Sequence, residues 1–362
     1  MKVALVHDYL AQDGGAEKVL KVFQEIFPGA PTFVLVHNKD KANPIFLKKD
    51  IRTSFIQKMP LGVKKYQWFL PLMPLATEKY NLKGYDLVLS SSSAFSNGVL
   101  TGPQTLHICY CHTPTRFLWS DTHEYVQELK YNRLVKKIVP LLLTRLRLWD
   151  RQAADRVDRF IANSATVQQR IKKYYRRQSD IINPPVETDI FNIAPATGDY
   201  FLTGGRLVSY KRFDITVQAF SRLGVSLKIF GIGPAMEDLK KIAKDNIEFL
   251  GQITDAEKAE LYGRALAFIH PQEEDFGITP IESMASGRPV IAYAAGGALE
   301  TVIAGQTGEF FKEQTWEELA DLVIRFDKNR YNPEQIRSHA LKYNVDSFKT
   351  KIKDYIDKSL LL

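Results

Sequence analysis

Two glutamates, Glu274 and Glu282, stand seven intervening residues apart in the stretch HPQEEDFGITPIESMASGRPV, residues 270–290. Upstream, Arg206 and Lys211 lie in GRLVSYKR, His112 closes an apolar run, and Gly14-Gly15 follow another. These residue types handle anions and hydroxyls. A guanidinium offers a planar fork to phosphate oxygens and an ammonium a mobile point charge. Carboxylates hold hydroxyl groups, and paired glycines let backbone amides approach a phosphate or a sugar. Each motif also has an ordinary reading. Thr279-Pro-Ile-Glu282 fits a capping box, in which Glu282 only satisfies helix amides. Arg and Lys five apart are common on surfaces, Gly-Gly suits any turn before a helix, and a lone histidine is more often structural. Taken singly, the motifs leave both readings open.

The elements that must carry them follow from hydrophobic patterning. Ala265–Ile269 is an apolar run of strand length. Thr279 suits an N-cap, Pro280 a first helical position and Gly287 a helix stop, and Pro289–Tyr293 is the next strand. That order places Glu274 at a strand's C-terminal end and Glu282 in the first turn of a helix. Amides near Gly277, Ile278 and Thr279 would then face the loop, where a helix N-terminus favours an anion. The rest of the chain alternates in the same way. Lys2–Asp8 is a strand, Ala16–Phe27 a helix, and Thr32–Val36, Ile51–Phe55, Asp86–Ser90, Leu106–Cys111 and Arg159–Asn163 are further strands. Ser91–Ser93 with Ala94 is a small polar loop, and Ser164 caps a helix to Tyr175. His112 sits at the C-terminal end of its strand, where open α/β sheets bind ligands. The second half repeats the alternation from Tyr200–Thr203 onward. Strand and helix in turn imply an α/β protein with parallel sheets. The boundaries expected are 1–190 for a first Rossmann-like domain and 191–342 for a second. A closing helix within 343–362 crosses back to the first.

Composition limits the function. The chain has 362 residues, 45% of them hydrophobic and 25% charged, enough for two buried cores. No apolar run reaches the ~18 residues of a membrane span, and the chain enters a strand at once, so neither a span nor a signal peptide is expected. Cys109 and Cys111, the only cysteines, stand two apart in a strand, which suits neither a disulfide framework nor a zinc site and fits a reducing cytoplasm. Charge is uneven: residues 1–190 hold 28 lysines and arginines against 17 acids, the remainder 21 against 24. The basic half points to an anionic surface. No nucleic-acid motif occurs, so a membrane is expected, with the protein peripheral at its inner face. Two stretches suit that contact. Residues 57–85 interleave Lys58, Lys64 and Lys65 with Trp68, Phe69 and Met73, as an interfacial segment does, the alternative being a loop packed on its own domain. Residues 133–159 form a basic and apolar helical run that Pro140 should break.

Taken together, Glu274, Phe276-Gly277, Glu282 and the following ASGRPVIA resemble the signature of retaining GT-B glycosyltransferases, family 4 or group 1. Gly14-Gly15, His112, GRL…K and Gly231-Ile-Gly-Pro occur in the family's order, and the resemblance covers nearly the whole chain. It implies a GT-B fold, two Rossmann-like domains facing across a cleft. It implies that Glu274 holds the transferred sugar's hydroxyls and Glu282 the nucleotide ribose. Arg206 and Lys211 would grip the donor's diphosphate, amides from Phe276 through Gly277 and Ile278 to Thr279 would meet diphosphate or sugar, and His112 would lie near the reacting carbon. Gly14 and Gly15 would lie near the donor or acceptor, and Arg116 and Trp119 would line the acceptor side. No Asp-x-Asp occurs, so no metal and no cofactor beyond the nucleotide-sugar co-substrate is expected. The strings ICYCHTPTRFLW and INPPVETDIF look similar to bacterial surface-polysaccharide mannosyltransferases. That resemblance implies GDP-mannose as donor, a UDP-hexose being the alternative, and a lipid-linked saccharide acceptor. A nucleotide-sugar epimerase is the competing class of similar fold.

Overall fold

The computed structural model describes residues 1–128 and 133–361. The chain divides into two units, Met1–Pro184 with Phe348–Leu362, and Pro185–Ser347.

The first unit is built on a seven-stranded, wholly parallel sheet. Its strands are β1 (Val3–His7), β2 (Thr32–Val34), β3 (Ile51–Thr53), β4 (Leu87–Ser92), β5 (Leu106–Cys111), β6 (Arg159–Ala162) and β7 (Asp180–Ile181). β1 and β4 are buried along their whole length, as expected where helices cover both faces of a parallel sheet. The strand order β3-β2-β1-β4-β5-β6-β7 reverses direction at β1 and β4. Such a reversal opens a crevice at the strands' carboxyl ends. Register aligns His7 with Ser91 across it, and Ser92 with Cys111 on the far side.

The second unit repeats the plan with six parallel strands. They are β8 (Phe201–Gly204), β9 (Leu227–Phe230), β10 (Ile247–Gly251), β11 (Phe268–His270), β12 (Val290–Tyr293) and β13 (Gly308–Phe311), in the order β10-β9-β8-β11-β12-β13. The reversal falls between β8 and β11, so the chain after Gly204 and the chain after His270 leave the sheet side by side. One face of the sheet buries Tyr262, Phe268, Ile281 and Met284, and the other buries Phe213, Phe220, Ile229 and Leu319. The helix Val345–Leu360 ends on the first unit. There Phe348 meets the rings of Phe23 and Tyr110 at 5.9 and 5.7 Å, and Lys349 Nζ lies 2.8 Å from Glu25.

Several local expectations change. Pro140 does not break its helix, which runs unbroken over Arg133–Asp155. A proline removes one helical hydrogen bond, and burial of Leu143 and Leu146 in the core holds the turns beyond it. The polar loop after β4 begins only at Ser93, because Ser91 and Ser92 belong to the strand. Residues 57–78 form short helical turns that pack Met73, Tyr66, Phe69 and Leu70 against their own unit, leaving Leu61, Trp68 and Leu75 about half exposed. Ser164 caps its helix as expected, its hydroxyl accepting from Val167 N at 3.1 Å. No helix among the described residues is long and apolar enough to cross a membrane.

Candidate functional site

In the second unit the two chain segments leaving β8 and β11 bring opposite charges together. Lys211 Nζ lies 2.8 Å from Glu274 Oε1, both side chains mostly buried. Each of the two segments is packed against a neighbouring loop. A Cβ on Gly231 would fall 1.9 Å from Gly205 O, and one on Gly297 2.3 Å from Phe276 Cα, so only glycine lets the loop after β9 close on the β8 segment and the loop after β12 on the β11 segment. Gly297 N also donates to Glu274 O at 2.8 Å, fixing the loop that carries the carboxylate. Burial alone would raise the pKa of Glu274, but the Lys211 ammonium, helped by His270 and Gln272, holds it down at about 2. It is therefore an anion throughout the physiological range. Lys211 has three N–H donors, so one can hold Glu274 while others meet a phosphate oxygen. Arg206 is exposed, and its guanidinium has no partner among the described residues.

The helix behind Glu274 starts earlier than its sequence suggests. Gly277, at φ 86°, is the N-cap, and the helix runs Ile278–Ala285. Thr279 is therefore inside the first turn rather than at the cap, and its buried hydroxyl has no hydrogen-bond partner. The positive φ at Gly277 turns the chain into the helix two residues before Pro280, which removes the capping box. The amides of Ile278 and Thr279 head the helix, where no intrahelical carbonyl can reach them. Phe276 is buried against the Tyr343 ring at 5.6 Å. Glu282 sits in the second turn, buried, with Oε1 3.0 Å from Lys258 Nζ and Oε2 3.4 Å from the Tyr262 hydroxyl. The pair lifts the Lys258 ammonium above its usual value despite burial, so Lys258 is a cation the sequence reading missed. His270 was missed as well. It is buried with both ring nitrogens unpaired, and burial pushes it down to about 4 against the pull of Glu274. Its position at the end of β11, four residues before Glu274, was the available signal.

The first unit places its residues at the β1–β4 reversal. Gly14 caps the helix Gly15–Ile26 and donates from its amide to Glu17 Oε2 at 2.9 Å. His112 is half-buried after β5, its Nε2 2.8 Å from Ser91 Oγ, its carbonyl accepting from Asn163 Nδ2 at 2.9 Å. Burial, with His7 nearby, pushes His112 down to about 3, so its imidazole is neutral. Beside it, Asp8 accepts the amides of Ser93, Ala94, Phe95 and Ser96 at 2.6–2.9 Å, pinning the loop after β4. Arg116 and Trp119 follow His112 but are committed locally. Arg116 Nη1 lies 4.0 Å from Asp121, and the Trp119 indole donates to buried Asp150 at 2.7 Å while stacking on Tyr174. Burial holds the Asp150 carboxyl up at about 7 in spite of its bonds from Trp119, Tyr175 and Thr115.

The Lys211–Glu274 pair has a consequence that can be measured. Glu274 has a folded value below its ordinary 4.5, so the pair stabilises the fold fully above that pH and loses the contribution as pH falls toward 2. Lys211→Met removes the strongest influence lowering Glu274, leaving burial in charge. Carboxyl-carbon NMR titration of the variant should then show Glu274 titrating above its ordinary value; a midpoint still near 2 would mean Lys211 does not set it.

Comparison with known proteins agrees with this architecture. The family model described as Glycosyl transferases group 1 matches residues 187–344, and Glycosyltransferase Family 4 matches residues 30–190. An alpha-1,3/1,6-mannosyltransferase of Dictyostelium discoideum is 25% identical over 284 residues, 64% of this chain and 63% of that protein. A GDP-mannose-dependent alpha-(1-6)-phosphatidylinositol monomannoside mannosyltransferase of Mycobacterium tuberculosis is 32% identical over 145 residues, 34% of this chain and 38% of that one. The matched part is less than two thirds of either relative's length. Among solved structures, sucrose-phosphate synthase of Thermosynechococcus elongatus superposes with a TM-score of 0.76 at 18% identity, covering all of both chains. Anabaena HepE in complex with UDP gives 0.73 at 17% identity, covering 99% of this chain and 100% of its own. With two Rossmann-like parallel-sheet domains and both family models matched along most of its length, the chain belongs to the GT-B glycosyltransferases of family 4, glycosyl transferases group 1.

Proposed function

We propose that this glycosyltransferase moves a hexose from a nucleotide sugar to a lipid-linked saccharide with retention of anomeric configuration, and that the donor is GDP-mannose. The observation that carries the donor site is the Lys211–Glu274 pair beside an unpaired Arg206 and the free amides heading the Ile278–Ala285 helix. Breaking the anomeric C–O bond leaves an oxocarbenium-like sugar and a nucleoside diphosphate. Arg206, Lys211 and the helix amides stabilise that leaving charge as it develops. Glu274 holds hydroxyls of the transferred sugar, and Glu282 with Lys258 holds the ribose. His112 is assigned to the region of the reacting carbon, with Gly14 and Gly15 near donor or acceptor. In the front-face route favoured here, the acceptor oxygen bonds to the anomeric carbon, the bond to the phosphate oxygen breaks, and the departing diphosphate takes the acceptor's proton. The glycosidase arrangement of two facing carboxylates is a poor analogy, because Glu282 is engaged with Lys258 and Tyr262 rather than with Glu274.

Cations already present for the leaving group support a metal-independent reaction. GDP-mannose is favoured by the mannosyltransferases among the relatives, one named for its GDP-mannose dependence. A UDP-hexose is the second reading, since the Anabaena HepE structures hold UDP and UDP-glucose. Membrane contact is supported by exposed Ile138, Leu141 and Leu148 on the long helix, with Trp68 and Leu61 exposed on the 57–78 segment. Lys58, Lys64, Lys65, Lys137 and Arg145, all exposed, supply the charge that anionic headgroups attract.

A thermal-shift panel of nucleotide sugars, each run with and without EDTA, tests donor and metal together. GDP-mannose should raise the melting temperature in a concentration-dependent way and EDTA should leave the shift and the turnover unchanged. A shift with UDP-sugars alone would replace the donor, and loss of turnover in EDTA would refute metal independence. Flotation with vesicles tests the surface: recovery with phosphatidylserine-containing vesicles should exceed recovery with neutral ones and fall with salt. Equal recovery would remove the anionic-membrane partner.

A further inference from the structure

At the β1–β4 reversal of the first unit, four side chains form a continuous line. Glu17 Oε1 lies 3.8 Å from His7 Nε2, His7 Nδ1 lies 3.1 Å from Ser91 Oγ, and Ser91 Oγ lies 2.8 Å from His112 Nε2. Glu17, His7 and Ser91 are all buried. The His112 ring makes no other hydrogen bond among the described residues.

The protons along this line are not free to distribute themselves. A serine hydroxyl has one proton, so Ser91 donates to one histidine and accepts from the other. A neutral imidazole has one N–H, so fixing the role of one nitrogen fixes the other. Glu17 sets the direction. Its carboxylate only accepts, and an anion beside His7 Nε2 favours the proton on that nitrogen. His7 Nδ1 is then bare and takes the hydroxyl proton of Ser91. The lone pair of Ser91 in turn takes the N–H of His112 Nε2. What remains on His112 is a bare Nδ1.

We propose that the line Glu17–His7–Ser91 holds His112 in its Nε2–H tautomer, so that Nδ1 accepts a hydrogen bond from a hydroxyl of the saccharide handled there. Glu17, His7 and Ser91 are thus positioning residues, acting through His112. The proposal rests on the assignment of His112 to the transferred sugar. Glu17 also holds Gly14 through its second oxygen, which ties the glycine loop to the same carboxylate. Ser91 is therefore the cleaner probe, because its hydroxyl touches only the two imidazoles.

Long-range proton–nitrogen NMR of the full chain, labelled with nitrogen-15 histidine and free of substrate at neutral pH, reads the tautomer directly. The wild type should show His112 protonated on Nε2 and bare on Nδ1. Ser91→Ala should show the two His112 tautomers mixed, and Ser91→Thr, which keeps the hydroxyl, should restore the wild-type pattern. In turnover, Ser91→Ala should lower kcat by roughly 10- to 100-fold, the range for a lost buried hydrogen bond. KM for the nucleotide sugar should stay within about twofold, and Ser91→Thr should recover most of the rate. A wild-type His112 protonated on Nδ1, a doubly protonated His7, or a tautomer pattern indifferent to Ser91→Ala overturns the proposal. Unaltered turnover in Ser91→Ala despite a changed tautomer overturns the positioning role and removes His112 from the reaction, while leaving the donor assignment in the second unit intact.

Discussion

The ion pair between Lys211 and Glu274 is the constraint on which the donor site depends. It joins the segments leaving two neighbouring strands, each of which a glycine lets a further loop approach at backbone distance. A carboxylate so buried would ordinarily pick up a proton. Beside an ammonium it stays charged, available to accept from sugar hydroxyls, while the ammonium keeps donors for a phosphate. One contact thus couples the group proposed to hold a sugar to the group proposed to meet its leaving diphosphate. The second glutamate is held apart from this work by its own cation, Lys258.

The first unit solves a different problem with similar means. Its loops after β1, β4 and β5 have little regular structure, and buried carboxylates hold them instead. Asp8 gathers four amides of the loop after β4, Glu17 gathers the amide of Gly14, and Asp150 gathers Thr115, Trp119 and Tyr175. Each carboxylate accepts at least one hydrogen bond in return, which helps make its burial tolerable. The loops are therefore preorganised, as electrostatic catalysis requires.

Much of this was legible in the sequence, for identifiable reasons. Alternating apolar runs and helical patterns reveal parallel sheets, because buried strands must be apolar on both faces. Arg206, Lys211, Glu274 and Glu282 were visible because their types and spacing resemble a family signature. What remained hidden involved partners distant in sequence. Lys258 is 24 residues from Glu282, and Asp8 binds amides 85 to 88 residues away. His7 and Ser91 meet only through strand register. Helix starts were misjudged where a backbone turn outweighed a side-chain cue, as at Gly277 before Thr279. Pro140 misled for the converse reason, since packing at Leu143 and Leu146 overrode a local preference.

The most direct test of the donor-site account is acceptor-dependent release of nucleoside diphosphate by the wild type and by Glu274→Gln, which keeps the shape of the side chain and removes its charge. With nucleotide sugar and a saccharide acceptor, the wild type should release diphosphate, and the variant should do so at least ~100-fold more slowly, the scale of losing one electrostatic contact to a transition state. Affinity for the free nucleoside diphosphate should change by no more than a few-fold. Turnover near that of the wild type in Glu274→Gln, or release that needs no acceptor, would contradict it.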